Sequence, residues 1–295
     1  MGTACARRWK RRCLGAEFAV VGSRGQLGQE FLRVLGRRAV GLERRQLDVA
    51  DAEACARVLG ELGPRVVINC AAFNQVDWAE TRHAAALAAN AEGPGHLAAL
   101  AAARGFRLVH FSTDYVFGGD GLTRPRTEND APAPVNFYGY SKLLGEEAVL
   151  RTCPSALVLR VAHLYGGRSR SPGRASLVER FVERARAGEA IAVTRGQWLN
   201  PTSVRDIVAA TLRLLPMGAH GLFHLTGEGA CEADTFAREV CRRAGLRPKL
   251  RYVTHDERPA RRAAHTVLAN ARWAALGLGP LPDWRTSLAG GDAAR

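Results

Sequence analysis

Lysine is nearly missing from this sequence: Lys10, Lys142 and Lys249 stand against 39 arginines in 295 residues. A chain that writes arginine almost wherever it needs a cation has kept a lysine at 142, which points to a demand there that a guanidinium does not meet. Long apolar runs are also missing. No stretch approaches the roughly 20 residues needed to span a bilayer, so no membrane partner is expected. The seven cysteines (5, 13, 55, 70, 153, 231 and 241) have no Cys-x-x-Cys or Cys/His ligand spacing. Their number is odd and Cys70 lies in an apolar run, so reduced thiols in a cytoplasmic protein are expected, with no metal site. Internal repeats and low-complexity segments are absent as well. The first 17 residues are basic but have no hydrophobic core behind them, so they do not read as a secretion signal. Residues 1–16 are expected to be a disordered extension.

Apolar residues make up 47% of the chain and charged residues 24%, ordinary values for a globular protein large enough to bury a sizeable core. The net charge of +14 is unusual and raises the question of nucleic acid. The one dense basic run, Arg7-Arg8-Trp9-Lys10-Arg11-Arg12, holds few of the 42 basic residues, and no nucleic-acid recognition motif accompanies the excess. Arginine-rich composition with a basic substrate channel accounts for it, and nucleic acid is not expected as a partner.

The pattern along the chain is a strand–helix alternation. Short apolar runs at Phe18–Val21, Ala39–Leu42, Val66–Cys70, Leu108–Ser112 and Leu157–Val161 predict buried strands. Helices are predicted at 51–61 and about 90–104, and a long Gly/Pro/Asp/Asn-rich loop at 113–137 precedes another helix. This order predicts an α/β fold of Rossmann type, a doubly wound parallel sheet covered on both faces. The dinucleotide-binding core is placed mainly in 17–165. Residues 166–295 are expected to interleave the remaining core elements with a smaller C-terminal substrate-binding lobe. There, helices are predicted at 174–187, 203–215 and 232–244, with a strand at 222–225. Ligands of such sheets bind beyond the carboxyl ends of the strands.

Four constellations fall in that crevice. Gly22-Ser23-Arg24-Gly25-Gln26-Leu27-Gly28 joins the first strand to a helix. Its glycines permit a tight turn, close approach to a pyrophosphate and close helix–strand packing, and the helix amides favour phosphate. After the second strand, Glu43 would take a ribose hydroxyl and favour NADH. Arg44, Arg45 and Arg24 would instead hold a 2′-phosphate, and the surplus of guanidinium favours NADPH. Tyr138 and Lys142 are one helical turn apart, so the lysine is expected to lower the phenol pKa and make Tyr138 a proton donor for carbonyl reduction. Ser112-Thr113-Asp114 ends the fourth strand opposite them. A hydroxyl there can polarise a substrate carbonyl, while Asp114 reads equally as a substrate ligand or a loop cap.

These motifs resemble those of the dTDP-4-dehydrorhamnose reductase family of nucleotide-sugar 4-ketoreductases, within the extended short-chain dehydrogenase/reductases. The resemblance rests on the 22–28 loop, Leu47-Asp48-Val49, the 69–77 segment, Asn90-Ala-Glu-Gly-Pro94, Ser112–Phe117 and Tyr138–Lys142. It continues through Asn200-Pro-Thr202, Arg258-Pro259 and Leu281-Pro-Asp-Trp-Arg285. It implies Thr113, Tyr138 and Lys142 as catalytic residues. Asp48 and Val49 would contact adenine; Ala71, Ala72, Phe73 and Asn90 would line the cofactor; Asn74, Val76, Asp114, Tyr115 and Phe117 would approach the sugar. The family commonly has a tryptophan, packed on the sugar, where this chain has His163, so His163 reads either as a substrate contact that alters specificity or as a neutral loop residue. A homodimer is compatible with the resemblance. Two alternatives are a nucleotide-sugar epimerase or dehydratase of the same fold, and a non-catalytic NADP-binding subunit like the regulatory subunit of methionine adenosyltransferase. A dehydratase would place an acid where Tyr115 stands.

Overall fold

The computed structural model describes residues 15–292, apart from 168, 171–174 and 255–256. The dense arginine run near the start and most of the predicted basic extension lie outside the described residues. Five strands, β1 (Phe18–Val21), β2 (Ala39–Leu42), β3 (Val66–Asn69), β4 (Arg107–Thr113) and β5 (Leu157–Val161), join a sixth, Gly221–His224, in one sheet. From one edge the order is β2, β1, β3, β4, β5 and the sixth strand, and every pairing is parallel. Chain order therefore runs one way from β1 to β2 and the other way from β1 to β3 and beyond. Strand order reverses at β1 and β3, and that reversal opens a crevice beyond their carboxyl ends.

Side chains alternate across the sheet, as the two-residue period of a strand requires. Ala19 and Val21 of β1 face a core with Leu59, Leu97 and Val149, under the helices Ala52–Leu62, Gly93–Arg104 and Phe137–Thr152. Phe18 and Val20 face a second core with Phe31, Ile207 and Val208, under Gln26–Leu35 and Val204–Leu214. Both faces of the sheet are thus dry, which is why its strands read as continuous apolar runs.

The smaller lobe packs the helices Leu177–Arg186 and Ala233–Arg243 around Tyr165, Phe236 and Trp284. A two-stranded parallel sheet, Ala190–Thr194 with Lys249–Val253, completes it. The predicted strand at 222–225 is present at Gly221–His224, as an edge strand of the main sheet. The 249–253 strand was not expected, because it is mostly solvent-facing and carries Lys249, Arg251 and Tyr252 where an apolar signal would be needed.

Candidate active site

The cofactor end of the crevice is shaped by backbone crowding. Gly22, at φ +75°, follows β1, and a Cβ there would come within 2.5 Å of the Ala71 nitrogen beyond β3. A Cβ on Gly28 would approach the Gly22 carbonyl to 2.7 Å, so the helix starts tight against the turn. Gly25 caps that helix without a side-chain hydrogen bond, leaving first-turn amides for an anion. Ser23 and Leu27 are buried, and Gln26 donates from Nε2 to the Gly166 carbonyl at 3.2 Å. This is a cradle that fits a dinucleotide pyrophosphate.

At the end of β2 the charges pair with one another. Arg24 and Arg45 both face Glu43, at 3.4 and 3.1 Å, and Arg44 holds Asp48 at 2.8 Å. Arg24 also donates to the Arg170 carbonyl, at 2.6 Å from Nη2. A single carboxylate at 43 thus faces two guanidiniums, and a ribose 2′-phosphate suits this rim better than a bare diol does. Val49 is buried, and its carbonyl accepts from His96 Nδ1 at 3.0 Å.

Ala71, Ala72 and Phe73 form the half-buried wall after β3. Asn90, expected among the cofactor contacts, is fully enclosed instead. Its Oδ1 accepts from Phe73 N at 2.8 Å, and its Nδ2 donates to the Phe73 carbonyl and to Ser141 Oγ, both at 3.0 Å. With its amide spent in this way, Asn90 acts on the crevice by clamping its wall to the helix Phe137–Thr152.

That helix carries Tyr138 and Lys142. Asn136 caps it, accepting from Gly139 N at 2.8 Å, which satisfies one of the orphan amides and fixes where the first turn begins. A Cβ on Gly139 would meet the Tyr115 carbonyl at 2.1 Å, and one on Gly145 the Asn90 carbonyl at 2.0 Å, so the helix lies unusually close to both neighbours. Its buried side faces β4. His110 and Ser112, two apart on the strand, meet Lys142 and Glu146, four apart on the helix. Glu146 accepts from Ser112 Oγ and pairs with Arg160 of β5 at 2.6 Å, and all three are buried. Lys142 Nζ donates to the Phe111 carbonyl at 2.6 Å and lies 3.4 Å from His110 Nε2.

Tyr138 is half-buried, and its ring meets Tyr115 edge-on at 5.6 Å. The expected lowering of its phenol pKa is not seen. Burial pushes it above the usual tyrosine range, against a lowering effect of the Thr113 hydroxyl, and the charge of Asp114 adds to the rise. The lysine yields instead: burial lowers Lys142 to about 8, although Glu146 and Cys70 favour its ammonium. The physical reason is that desolvation penalises the charged form of each group, so the phenol stays protonated and ready to donate.

On the substrate side, Thr113 Oγ1 accepts from Tyr115 N at 3.2 Å and lies 3.1 Å from Asp114 Oδ1. Asp114 is buried; its Oδ2 accepts from Thr266 Oγ1 at 2.6 Å and faces His163 Nδ1 at 3.5 Å. It therefore ties the end of β4 to the C-terminal lobe. Phe117, expected to approach the sugar, is fully buried with the Arg160 guanidinium 4.9 Å from its ring centroid, and so supports the wall from behind. Asn74 is exposed, and Val76 and Tyr115 are half-buried. His163, at φ +39°, is the sole non-glycine residue with positive φ among the described residues, and its ring is 6.2 Å from Tyr115. Sequence reading missed Asp77 and Arg262, paired at 3.0 Å, with the Arg262 guanidinium 5.9 Å from the Tyr115 ring. It also missed the buried partners His110, Glu146 and Arg160. The polar residues alternating in β4, matched by a lysine and a glutamate one turn apart, were the available signal.

The comparisons with known proteins agree with this geometry. The family model described as the RmlD substrate binding domain matches residues 17–291. A probable dTDP-4,6-dihydroxy-2-methyloxan-3-one 4-ketoreductase of Streptomyces antibioticus is 40% identical over 91% of this chain and 92% of its own length. The dTDP-4-dehydrorhamnose reductase of Mycobacterium tuberculosis is 38% identical over 92% and 90%. Among solved structures, the dTDP-4-dehydrorhamnose reductase of Bacillus anthracis in complex with NADP superposes with a TM-score of 0.85. It is 28% identical, and the match covers 92% of this chain and 97% of that one. With its parallel sheet and its glycine-lined turn after β1, the chain belongs to the RmlD family of dTDP-4-dehydrorhamnose reductases.

Proposed function

We propose that this protein reduces the C4 ketone of a nucleotide-activated 4-keto-6-deoxy sugar, carried on dTDP, with NADPH, as a step in deoxysugar biosynthesis. The observation that carries the reading is the Thr113 hydroxyl against the Tyr138 phenol, with Lys142 one turn along the same helix, beside a dinucleotide cradle in a family of nucleotide-sugar reductases. NADPH supplies the hydride. The chain supplies the rest. Gly22, Gly25 and the first turn of Gln26–Leu35 seat the pyrophosphate, and Arg24, Arg44 and Arg45 take the 2′-phosphate. The Thr113 hydroxyl holds the ketone oxygen, and Tyr138, kept protonated by burial, gives that oxygen its proton as negative charge develops. Lys142, at the floor of the crevice, orients the nicotinamide ribose and restores the tyrosine. Arg258 and Arg262, in the C-terminal lobe beside Tyr115, suit the substrate's diphosphate. His163 meets the sugar face and sets which ketosugar fits.

The test is NADPH oxidation on adding freshly prepared dTDP-4-keto-6-deoxyhexose, beside a Tyr138→Phe control. Oxidation that the control loses supports the reading. NADPH binding without oxidation of any ketosugar would turn it towards a binding subunit, and tightly held NAD in the purified protein towards an epimerase.

A further inference from the structure

The sheet side of the catalytic helix holds an imidazole that the reaction as described does not use. His110 is fully buried in β4, with Nε2 3.4 Å from Lys142 Nζ and Nδ1 3.1 Å from Asn69 Nδ2. The Asn69 amide is oriented by its other end, where Oδ1 accepts from the Ala71 backbone N–H at 3.1 Å. With the oxygen committed there, the amide presents an N–H to His110, so Nδ1 must be the accepting nitrogen. Reversing the amide would set its NH2 against the Ala71 N–H. A proton on Nδ1 would set two donors face to face. Both arrangements leave buried donors unpaired. A doubly protonated ring meets the same clash, and burial together with the Lys142 charge holds the imidazole pKa well below its usual value.

The neutral ring therefore carries its proton on Nε2, aimed at Lys142. An N–H donor suits a lysine amine, which has a lone pair, and opposes an ammonium, which has none. Glu146 works the other way and favours the ammonium, but desolvation outweighs it. The Phe111 carbonyl takes one lysine proton, the Cys70 thiol is held protonated by burial, and the Glu146 charge is paired with Arg160.

We propose that Asn69 and His110 are positioning residues, a tautomer-locked pair that stabilises the neutral amine of Lys142 and so makes this lysine the proton reservoir for Tyr138. In this step Tyr138 passes its proton to the alkoxide oxygen, and the phenolate takes a proton from the Lys142 ammonium. The amine left behind accepts the His110 Nε2–H hydrogen bond until a solvent proton restores the ammonium. The proposal rests on the ketoreductase reading for the role of Lys142, but its structural premise can be measured without any ketosugar.

With three lysines in the chain, 13C-labelled lysine gives a simple spectrum in which Lys142 can be titrated directly in the NADP-bound protein. We expect its midpoint to rise by about one pH unit in His110→Phe, which removes the donor, and in Asn69→Leu, which frees the tautomer. His110→Gln, able to accept from Asn69 and donate to the lysine, is expected to stay close to the native midpoint. Labelling histidine with 15N in the unmodified chain, independent of any variant's folding, should show His110 protonated on Nε2 and bare on Nδ1. A His110 protonated on Nδ1, or a Lys142 midpoint that ignores both substitutions, would overturn the proposal. Failure to turn over a ketosugar would instead sink the functional reading and leave this titration standing.

Discussion

The floor of the crevice and its substrate wall solve opposite problems. On the floor, Asn69, His110, Ser112, Lys142, Glu146 and Arg160 are all buried, and all are hydrogen-bonded to one another or to backbone. On the wall, Arg258 Nε is enclosed with no hydrogen-bond partner, and His163 Nδ1 has nothing nearer than Asp114 Oδ2 at 3.5 Å. His163 is also held at a positive φ that a side chain with a Cβ disfavours. Buried polar groups are nearly always satisfied, so His163 and Arg258 keep capacity that a bound ligand would use. On the proposed reading, the floor serves chemistry that any 4-ketosugar would need, and the wall serves recognition of the sugar nucleotide.

If this division holds, substitutions on the floor should damage turnover or folding, and substitutions on the wall should damage affinity. The largest expected effect is that of Tyr138→Phe, which should lower kcat by about 10²–10⁴-fold while leaving NADPH binding intact, measured by steady-state assay and fluorescence titration. Next is Glu146→Leu. It leaves Arg160 charged and unpaired in the core and should cost about 3–5 kcal/mol in denaturant unfolding, with the wall untouched.

Lys142→Met should separate stability from activity. In the native state Lys142 loses its charge near pH 8, whereas in the unfolded chain it does so near 10.5. Between those values the unfolded state binds the extra proton, so this residue makes native stability rise with pH across that window. At pH 7 the native chain must bury an ammonium, so the methionine variant should melt about 3–6 °C higher while losing activity. Calorimetry at pH 7 and pH 10 checks both the sign and the window. The smallest effects belong to the wall. His163→Trp should change KM for a given ketosugar by about tenfold, with kcat and melting temperature nearly unchanged. A large kcat loss from His163→Trp would break the comparison.

Much of the sheet was legible in the sequence, because strands buried on both faces read as short apolar runs. The 22–28 loop also shows its purpose in glycine spacing alone. The boundaries of β1, β2 and β5 follow directly from those runs. What the sequence could not show is how burial redistributes charge. Tyr138 and Lys142 four apart suggest a lysine acting on a tyrosine, but desolvation acts on each group separately and is set by what covers them. Asn90 and Phe117 carry the right neighbours for ligand contact, yet both lie behind the wall, since sequence spacing does not tell a lining residue from the one supporting it. The 249–253 strand escaped because an edge that faces water needs no apolar pattern.

The most direct test of the central claim is to follow the hydride. With NADPH carrying deuterium at both positions of nicotinamide C4 and a dTDP-4-keto-6-deoxyhexose, the product should hold one deuterium at sugar C4 by NMR. Tyr138→Phe should form almost none of it in the same time. Turnover that places no deuterium at C4, or equal product from the phenylalanine variant, would contradict the assignment of this crevice as a ketoreductase site.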